Sequence, residues 1–470
     1  LLTLDFKTLA ETINGRLLNE KTGETVFKGV SIDTRTLKKM QLFFAIRGEA
    51  DDGHKYIADA LKKNSAGLVV ATDYNDLDII GDRVPVVVVE NTHEAMMRLA
   101  SEYRKKIEAP LVAVTGSNGK TTTKEFILAM IRHKEKNTYG SPGNLNNLYG
   151  LPLAIFGMPA DSRYGVFELG ISIPGEMTRL AGIIHPDLAI IANVGPTHLE
   201  TLSTVEGVAE AKLELADAMK ADQPVLINAD DPVLVQAAGK RDRRVITYGI
   251  DNPADIRASL AGASADGFPL VKIDGGEVAI RLFGRYQAYN VLAGYAVCKT
   301  LGLDIRPEEL NDIKYNFAPY RGEIENIDSL TVIADCYNAN PVSMSSGLQS
   351  FKEYLKNAAA KNRRSVAVIG DMLELGERSA EFHREIGRLL ALLDFDYTLT
   401  VGPLSADTYE AALAAGLDKT KIKHCEDTGG AGEVLLNDIL RGDIVYLKAS
   451  RGIALEKLII LLKGTAFRQN

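Results

Sequence analysis

The chain has 470 residues, 46% hydrophobic and 25% charged, with a formal net charge of −8. At roughly 150 residues per domain this length predicts about three domains with substantial cores. The acidic balance, with no basic arm and no aromatic-basic stripe, argues against a nucleic-acid partner. Cys298, Cys336 and Cys425 are far apart and form no C-x-x-C. That pattern argues against a disulfide framework or a zinc site and fits a reducing compartment. No signal peptide is visible and no apolar run is long enough to cross a bilayer, so no membrane insertion and a cytoplasmic location are expected. Leu1 is not a methionine, so a native start further upstream is expected.

In chain order, short apolar runs that read as strands fall at 67–72, 86–90, 111–115, 164–169, 187–194, 223–228, 330–335, 365–370, 397–401 and 443–448. They alternate with helical patterns, which predicts an α/β fold with mostly parallel sheets. Three blocks follow: 1–90, closing after Val86 to Val89; 91–315, holding a glycine-rich loop; and 316–470, beginning where Pro319 interrupts the pattern.

In the second block, Leu111-Val112-Ala113-Val114 reads as a buried strand running into Thr115-Gly116-Ser117-Asn118-Gly119-Lys120-Thr121-Thr122 and an amphipathic helix. Strand, glycine turn and Lys-Thr at a helix start make a phosphate-binding loop. Backbone amides face the phosphates, Lys120 neutralises them, and Thr121 offers a hydroxyl to Mg²⁺. The common G-x-x-x-x-G-K-[ST] spacing would put glycine at position 114, where Val114 stands, so the loop is shorter, beginning at Gly116. A Gly-Lys-Thr can also close an ordinary surface turn, but strand before and helix after favour ATP.

Gly143 to Leu153 follows, with Asn144, Asn146 and Asn147 as either a surface turn or a ligand-facing loop. Glu168 ends an apolar strand at the side of an open sheet that faces ligands, which suits a Mg²⁺ ligand. His198 follows the next strand; an isolated histidine is more often structural, and its place at the same sheet edge as Glu168 and Lys120 raises its interest. On the predicted helix from Thr204 to Lys220, Lys212 interrupts the apolar stripe of Val205, Val208, Leu215 and Met219. It either snorkels to water or faces the site, where an uncharged amine can take up CO₂ as a carbamate and become an oxygen ligand. In the third block, Asp335 to Met344 and Lys448-Ala449-Ser450-Arg451-Gly452 again place polar groups at strand ends.

With these residues assembled, the chain resembles the Mur ligase family over all three blocks. The shared features are the 115–122 loop, Glu168, His198 and Ala211-Lys212-Leu213-Glu214. Within the family, Gly143 to Pro152, Asp335 to Met344 and Gly370 to Gly376 with His383 resemble the members that join D-alanyl-D-alanine to UDP-N-acetylmuramoyl-tripeptide. The resemblance implies a small N-terminal α/β domain, a central doubly wound sheet of the phosphate-loop type and a C-terminal Rossmann-like domain. It implies an ADP-forming peptide ligase of the bacterial cytoplasm, acting as a monomer in peptidoglycan synthesis, with ATP and two Mg²⁺ ions.

It assigns Lys120, Lys212, His198 and Arg321 to catalysis. Thr115, Gly116, Ser117, Asn118, Gly119, Lys120, Thr121, Thr122, Asn290, Asp335 and Lys448 are assigned to the nucleotide. Thr121, Glu168, His198 and carbamylated Lys212 are assigned to metal. Ser31, Asp33, Thr34 and Arg35 are expected on the UDP-sugar-peptide. Asn144, Asn146, Asn147, Tyr337, Asn338, Asn340 and Ser343 are expected on substrate. Two departures stand out: Gln287 replaces the first asparagine of the family's G-x-[HY]-N-x-x-N, and Ala449 stands where glycine is common. Another Mur-type ligase, such as folylpolyglutamate synthase or an earlier muramyl ligase, is disfavoured because those relatives generally carry a histidine in the 335–341 segment. An inactive nucleotide-binding regulator is disfavoured because Lys120, Glu168, His198 and Lys212 are all present.

Overall fold

The computed structural model describes residues 2–18, 23–48, 51–81, 83–264, 266–357 and 360–464. Its centre is a nine-stranded sheet built around Leu111–Thr115, every residue of which is buried. Alternate residues serve opposite faces, as the pleat requires. Leu111 and Ala113 join one core with the helices Gly150–Gly157, Glu176–Ile184 and Val205–Asp217, while Val112 and Val114 join the other with Lys120–Lys134 and Gln287–Thr300. A strand covered on both sides needs apolar residues throughout, which is why it reads as a continuous run rather than an alternation.

Leu111–Thr115 pairs in parallel with Leu188–Ile191 on one side and Tyr164–Glu168 on the other. The chain therefore winds outward in both directions from this strand, and the crevice at its C-terminal end lies at a topological switch point, where open α/β sheets bind ligands. Thr138–Gly140 forms one edge. Beyond Val225–Asn228 the sheet continues through Ile246–Gly249 to Ile256–Ala263, and then turns antiparallel through Pro269–Ile273 and Gly276–Ala279.

The N-terminal sheet runs in the order Arg16–Leu17, Val86–Val89, Gly67–Ala71, Leu42–Phe44, Val30–Ser31, antiparallel only at its first pair. From it the helix Thr92–Arg104 crosses to pack on Gly150–Gly157 and Glu176–Ile184. The C-terminal sheet has six strands, Glu323–Ile327, Leu330–Ala334, Ile444–Lys448, Ser365–Gly370, Tyr397–Val401 and Ile422–Cys425, parallel except for the first pair. Between central and C-terminal units the packing changes over a few residues. Phe317 lies edge-on to Phe126 of the central core, whereas Tyr320 packs on the C-terminal core.

All ten strands expected from the sequence are present, the longest expectation (187–194) shrinking to Leu188–Ile191. The helix carrying Lys212 is Val205–Asp217, with the Thr204 side chain capping the Gly207 amide. Among the described residues no helix is long and apolar enough to cross a membrane.

Candidate active site

The loop leaving Leu111–Thr115 is shaped by hydrogen bonds to the neighbouring strand's end. Asn193 accepts from the Ser117 amide through its backbone carbonyl (2.9 Å) and from the Asn118 amide through Oδ1 (2.7 Å), and its own Nδ2 donates back to the Asn118 carbonyl (2.9 Å). Ser117 Oγ accepts from the Gly195 amide at 2.9 Å. Gly119 then turns the chain into the helix with φ +72°; a Cβ there would also lie 2.8 Å from Asn290 Oδ1. Only glycine satisfies both demands without strain. The helix Lys120–Lys134 has no side-chain cap. Its first amides, on Lys120, Thr121 and Thr122, have no intrahelical acceptor and face the crevice as an anion-binding end. The amides of Ser117 and Asn118, by contrast, are occupied inside the loop.

Lys120 Nζ donates to the Gly116 carbonyl at 2.8 Å. Burial pushes its pKa down, Glu168 pulls it up and Arg321 pushes it down, so its charge is held close to the loop in partial competition with a second cation. Thr121 Oγ1 donates to Glu168 Oε2 and Asn146 Nδ2 donates to Glu168 Oε1, both at 2.8 Å. Glu168 is buried at the end of its strand. One carboxylate and one hydroxyl side by side are hard oxygen donors of the kind Mg²⁺ uses together with phosphate oxygens and water. Among the described residues no three His, Cys, Asp or Glu side chains form a ready-made metal cage.

His198 sits in the left-handed region (φ 54°) at the start of the short helix Leu199–Leu202. Its Nδ1 is 3.6 Å from Glu374 Oε2 of the C-terminal unit. Burial lowers its pKa, Glu374 raises it, and Lys120 and Lys212 lower it further, so a neutral imidazole able to ligate is favoured. Lys212 is 2% exposed, and burial, reinforced by Lys120, pushes its pKa well below the ordinary lysine value. No carboxylate among the described residues pairs with it. It is not a snorkelling side chain; it does not line the cleft, and its charge acts on His198 as that of Lys120 acts on it.

The opposite wall comes from the C-terminal unit. Asp335 Oδ2 accepts from Lys448 Nζ (2.8 Å), Tyr446 OH (3.1 Å) and Tyr286 OH (2.9 Å), the last from the central unit. Asn340 Nδ2 donates to Asn118 Oδ1 at 2.6 Å, a second contact between the walls. The Arg321 guanidinium lies 3.7 Å from the Tyr337 ring centre and that of Arg451 5.5 Å from it. The resulting cleft holds about 530 Å³ and is lined by Ser117 to Thr122, Asn144, Asn146, Glu168, His198, Asn290, Arg321, Asp335, Tyr337, Asn338, Asn340, Ser343 and Lys448, among others.

Several expected residues are placed elsewhere or are engaged by the protein. Thr115 and Gly116 shape the loop without lining the cleft. Asn147 Oδ1 accepts from the Tyr149 and Gly150 amides outside it. Ser31, Asp33, Thr34 and Arg35 also lie off it: Ser31 Oγ donates to the Asp33 carbonyl, and Arg35 grips Asp33 at 2.7 Å. Asn340 and Ser343 form a reciprocal cap on the helix Pro341–Tyr354, with Asn340 Oδ1 accepting from the Ser343 amide at 2.9 Å. Asn290 accepts from Thr123 Oγ1 (3.0 Å) and donates to Gln287 Oε1 (2.8 Å). Gln287 in turn donates to the Arg321 carbonyl at 3.3 Å, so the longer amide bridges the central unit to the start of the C-terminal one.

Tyr286, Asn193 and Glu374 were not expected at the site. Asn193 and Glu374 act through pairings more than 70 residues distant in sequence, which no local pattern encodes, whereas Tyr286 occupies the aromatic position of the Gly284 to Asn290 segment.

Family models match the chain in three consecutive stretches: the Mur ligase family catalytic domain at 26–104, the Mur ligase middle domain at 114–298 and the Mur ligase glutamate ligase domain at 321–451. The UDP-N-acetylmuramoyl-tripeptide–D-alanyl-D-alanine ligase of Bacillus subtilis (strain 168) is 33% identical over 460 residues, 96% of this chain and 97% of the relative. The enzyme of the same name from Treponema pallidum (strain Nichols) is 32% identical over 475 residues, covering 98% and 99%. The crystal structure of MurF from Acinetobacter baumannii superposes with a TM-score of 0.86 at 25% identity, covering 99% of this chain and all of that one. MurF from Thermotoga maritima in complex with ADP gives 0.79 at 26%, covering 93% and 97%. Likeness that runs from end to end of both partners, in sequence and in fold, makes this chain a member of the Mur ligase family.

Proposed function

We propose that the chain joins D-alanyl-D-alanine to UDP-N-acetylmuramoyl-tripeptide at the expense of ATP, giving the pentapeptide precursor of peptidoglycan. The observation that carries this reading is the pairing of a phosphate-loop helix end and Glu168 on one wall with Asp335, Lys448 and Arg321 on the other, in a chain whose full-length relatives bear that activity. A carboxylate does not accept an amine at neutral pH, because oxide would have to leave. Transfer of the γ-phosphoryl group of ATP to the tripeptide's terminal carboxylate expels ADP and gives an acyl phosphate. The dipeptide's free amine then attacks the acyl carbon, the amine proton is lost, and the tetrahedral intermediate collapses with phosphate leaving. Little of this needs covalent chemistry from the protein, which contributes position and charge.

Lys120 and the free amides at the helix start would hold the β- and γ-phosphates. Thr121 and Glu168 would hold one Mg²⁺; His198 and Lys212, as its carbamate, would hold another. Bound Mg²⁺ neutralises phosphate charge and lowers the cost of charge build-up at the transferred group. The depressed pKa of Lys212 supports carbamate formation, since only the neutral amine reacts with CO₂. Arg321, close enough to depress Lys120, would meet the transferring phosphoryl from the C-terminal wall. Asn290 holds the shape of the nucleotide side of the cleft through Thr123 and Gln287. Asp335 with Lys448 lies where nucleotide and acceptor come together. The Ser31 to Arg35 turn and the Asn144 to Asn147 loop are proposed to meet the UDP-sugar-peptide. The two walls touch through Tyr286–Asp335 and Asn340–Asn118, and drawing them further together over bound substrates would keep water from the acyl phosphate. Mass analysis of the product tests the reading: one pentapeptide nucleotide formed per ADP supports it, and ADP formation without coupled product rejects it.

A further inference from the structure

The acceptor dipeptide is a zwitterion. Its amine must reach the acyl phosphate, so its carboxylate is carried some distance away and needs a cation not already serving phosphate. On the C-terminal wall most polar groups are engaged. Lys448 is 4% exposed and paired with Asp335. Ser450 Oγ donates to the Ala339 carbonyl and accepts from the Leu373 amide. Asn340 and Ser343 cap their helix. Arg321 stacks on Tyr337 and is electrostatically coupled to Lys120. Arg451 remains. It lines the cleft with its side chain 57% exposed. Glu456 braces it from behind at 3.1 Å, with Glu456 itself 15% exposed, and the Tyr337 ring lies beside its guanidinium. Glu374 also lines the cleft, and its carboxylate lies 3.6 Å from His198 Nδ1.

We propose that Arg451, held in place by Glu456 and Tyr337, binds the C-terminal carboxylate of the incoming dipeptide and so selects a free-acid acceptor. This rests on the functional reading above. A guanidinium presents a planar fork that a carboxylate matches with two hydrogen bonds. One brace leaves donors of that fork free. The acceptor site thereby recognises both ends of its substrate, amine at the reaction centre and carboxylate at Arg451.

The test compares D-alanyl-D-alanine with D-alanyl-D-alaninamide as acceptors for the wild-type enzyme, Arg451→Gln and Arg451→Lys. Wild type is expected to favour the free acid by about tenfold or more in kcat/KM, the scale of one charge-assisted contact. In Arg451→Gln the KM for the free acid should rise about tenfold or more and the preference over the amide should vanish, with KM for ATP unchanged as the control for folding and nucleotide binding. Arg451→Lys should restore part of the preference. If Arg451→Gln keeps both the wild-type KM and the wild-type preference, the assignment of Arg451 is overturned while the ligase reading stands. If the wild-type enzyme ligates neither dipeptide, the ligase reading fails and this inference fails with it.

Discussion

The Tyr286 hydroxyl, from the central unit, donates to Asp335 Oδ2 of the C-terminal unit at 2.9 Å. Asp335 also takes Lys448 at 2.8 Å, so a buried ion pair on one domain is completed by a phenol from the other. A buried pair contributes little net stability by itself, but leaving it short of a partner is costly. The carboxylate therefore links domain closure to the charge state of the cleft. Tyr286→Phe removes that one donor with almost no change of shape. Loss of a hydrogen bond to a charged group, about 1.5–3 kcal/mol, predicts a fall in kcat/KM for ATP of about tenfold or more with an unchanged circular dichroism spectrum. Unaltered kinetics would mean that the two walls close without this contact.

Lys120→Ala removes the one cation held within the phosphate loop. By comparison with losing a single transition-state stabiliser, turnover should fall at least about 10²-fold. Stopped-flow or coupled ADP assays at saturating substrates measure it, and near-normal turnover would dissociate Lys120 from the chemistry.

Lys212→Ala should abolish ligation, and short carboxylic acids added in excess should restore part of it by supplying the missing oxygen ligands. Substantial activity without any added acid would make the buried amine a packing element only.

Gln287→Ala leaves the Asn290 amide and the Arg321 carbonyl short of partners in a site where Gln287 is 1% exposed. Unsatisfied buried groups of this kind cost about 1–3 kcal/mol, so the unfolding free energy from urea titration should fall by that amount, with a lower midpoint. Gln287→Asn, one methylene shorter, should reach Asn290 but lose Arg321, giving an intermediate shift.

Asp52 accepts from the His54 amide at 3.0 Å and contacts His54 Nδ1 at 2.6 Å. Despite opposition from burial, these bonds and the neighbouring charges hold its pKa down at about 2, against 3.8 for the free group. A depressed carboxylate stabilises the fold fully above its unfolded pKa, and that contribution is lost as pH falls from 3.8 toward about 2. The stability gap between wild type and Asp52→Asn should therefore be widest near neutrality and close over that acid window. A gap independent of pH would contradict the linkage.

Much of the central site was legible because its signals are local. A buried parallel strand must be apolar throughout, so Leu111–Thr115 and its neighbours declared themselves, and the glycine-lysine-threonine turn followed directly from them. Other strands did not: the edge strand Ile422–Cys425 includes Lys423 and His424, and Ile256–Ala263, though paired on both sides, is largely exposed, so neither shows a continuous apolar run. The role of Asn193 rests on pairing 75 residues away with Asn118, which no spacing reveals. Asn340 and Ser343 carry two signals at once. Asn before Pro341 with Ser at the third helical position is also a capping pattern readable in advance, and the structure shows that cap formed by the same two side chains that line the cleft.

Steady-state phosphate release, measured with ATP and each acceptor alone and then together, tests the central claim most directly. The account predicts sustained release only when UDP-N-acetylmuramoyl-tripeptide and D-alanyl-D-alanine are both present. Sustained release with ATP alone, or no release with both acceptors supplied, would contradict it.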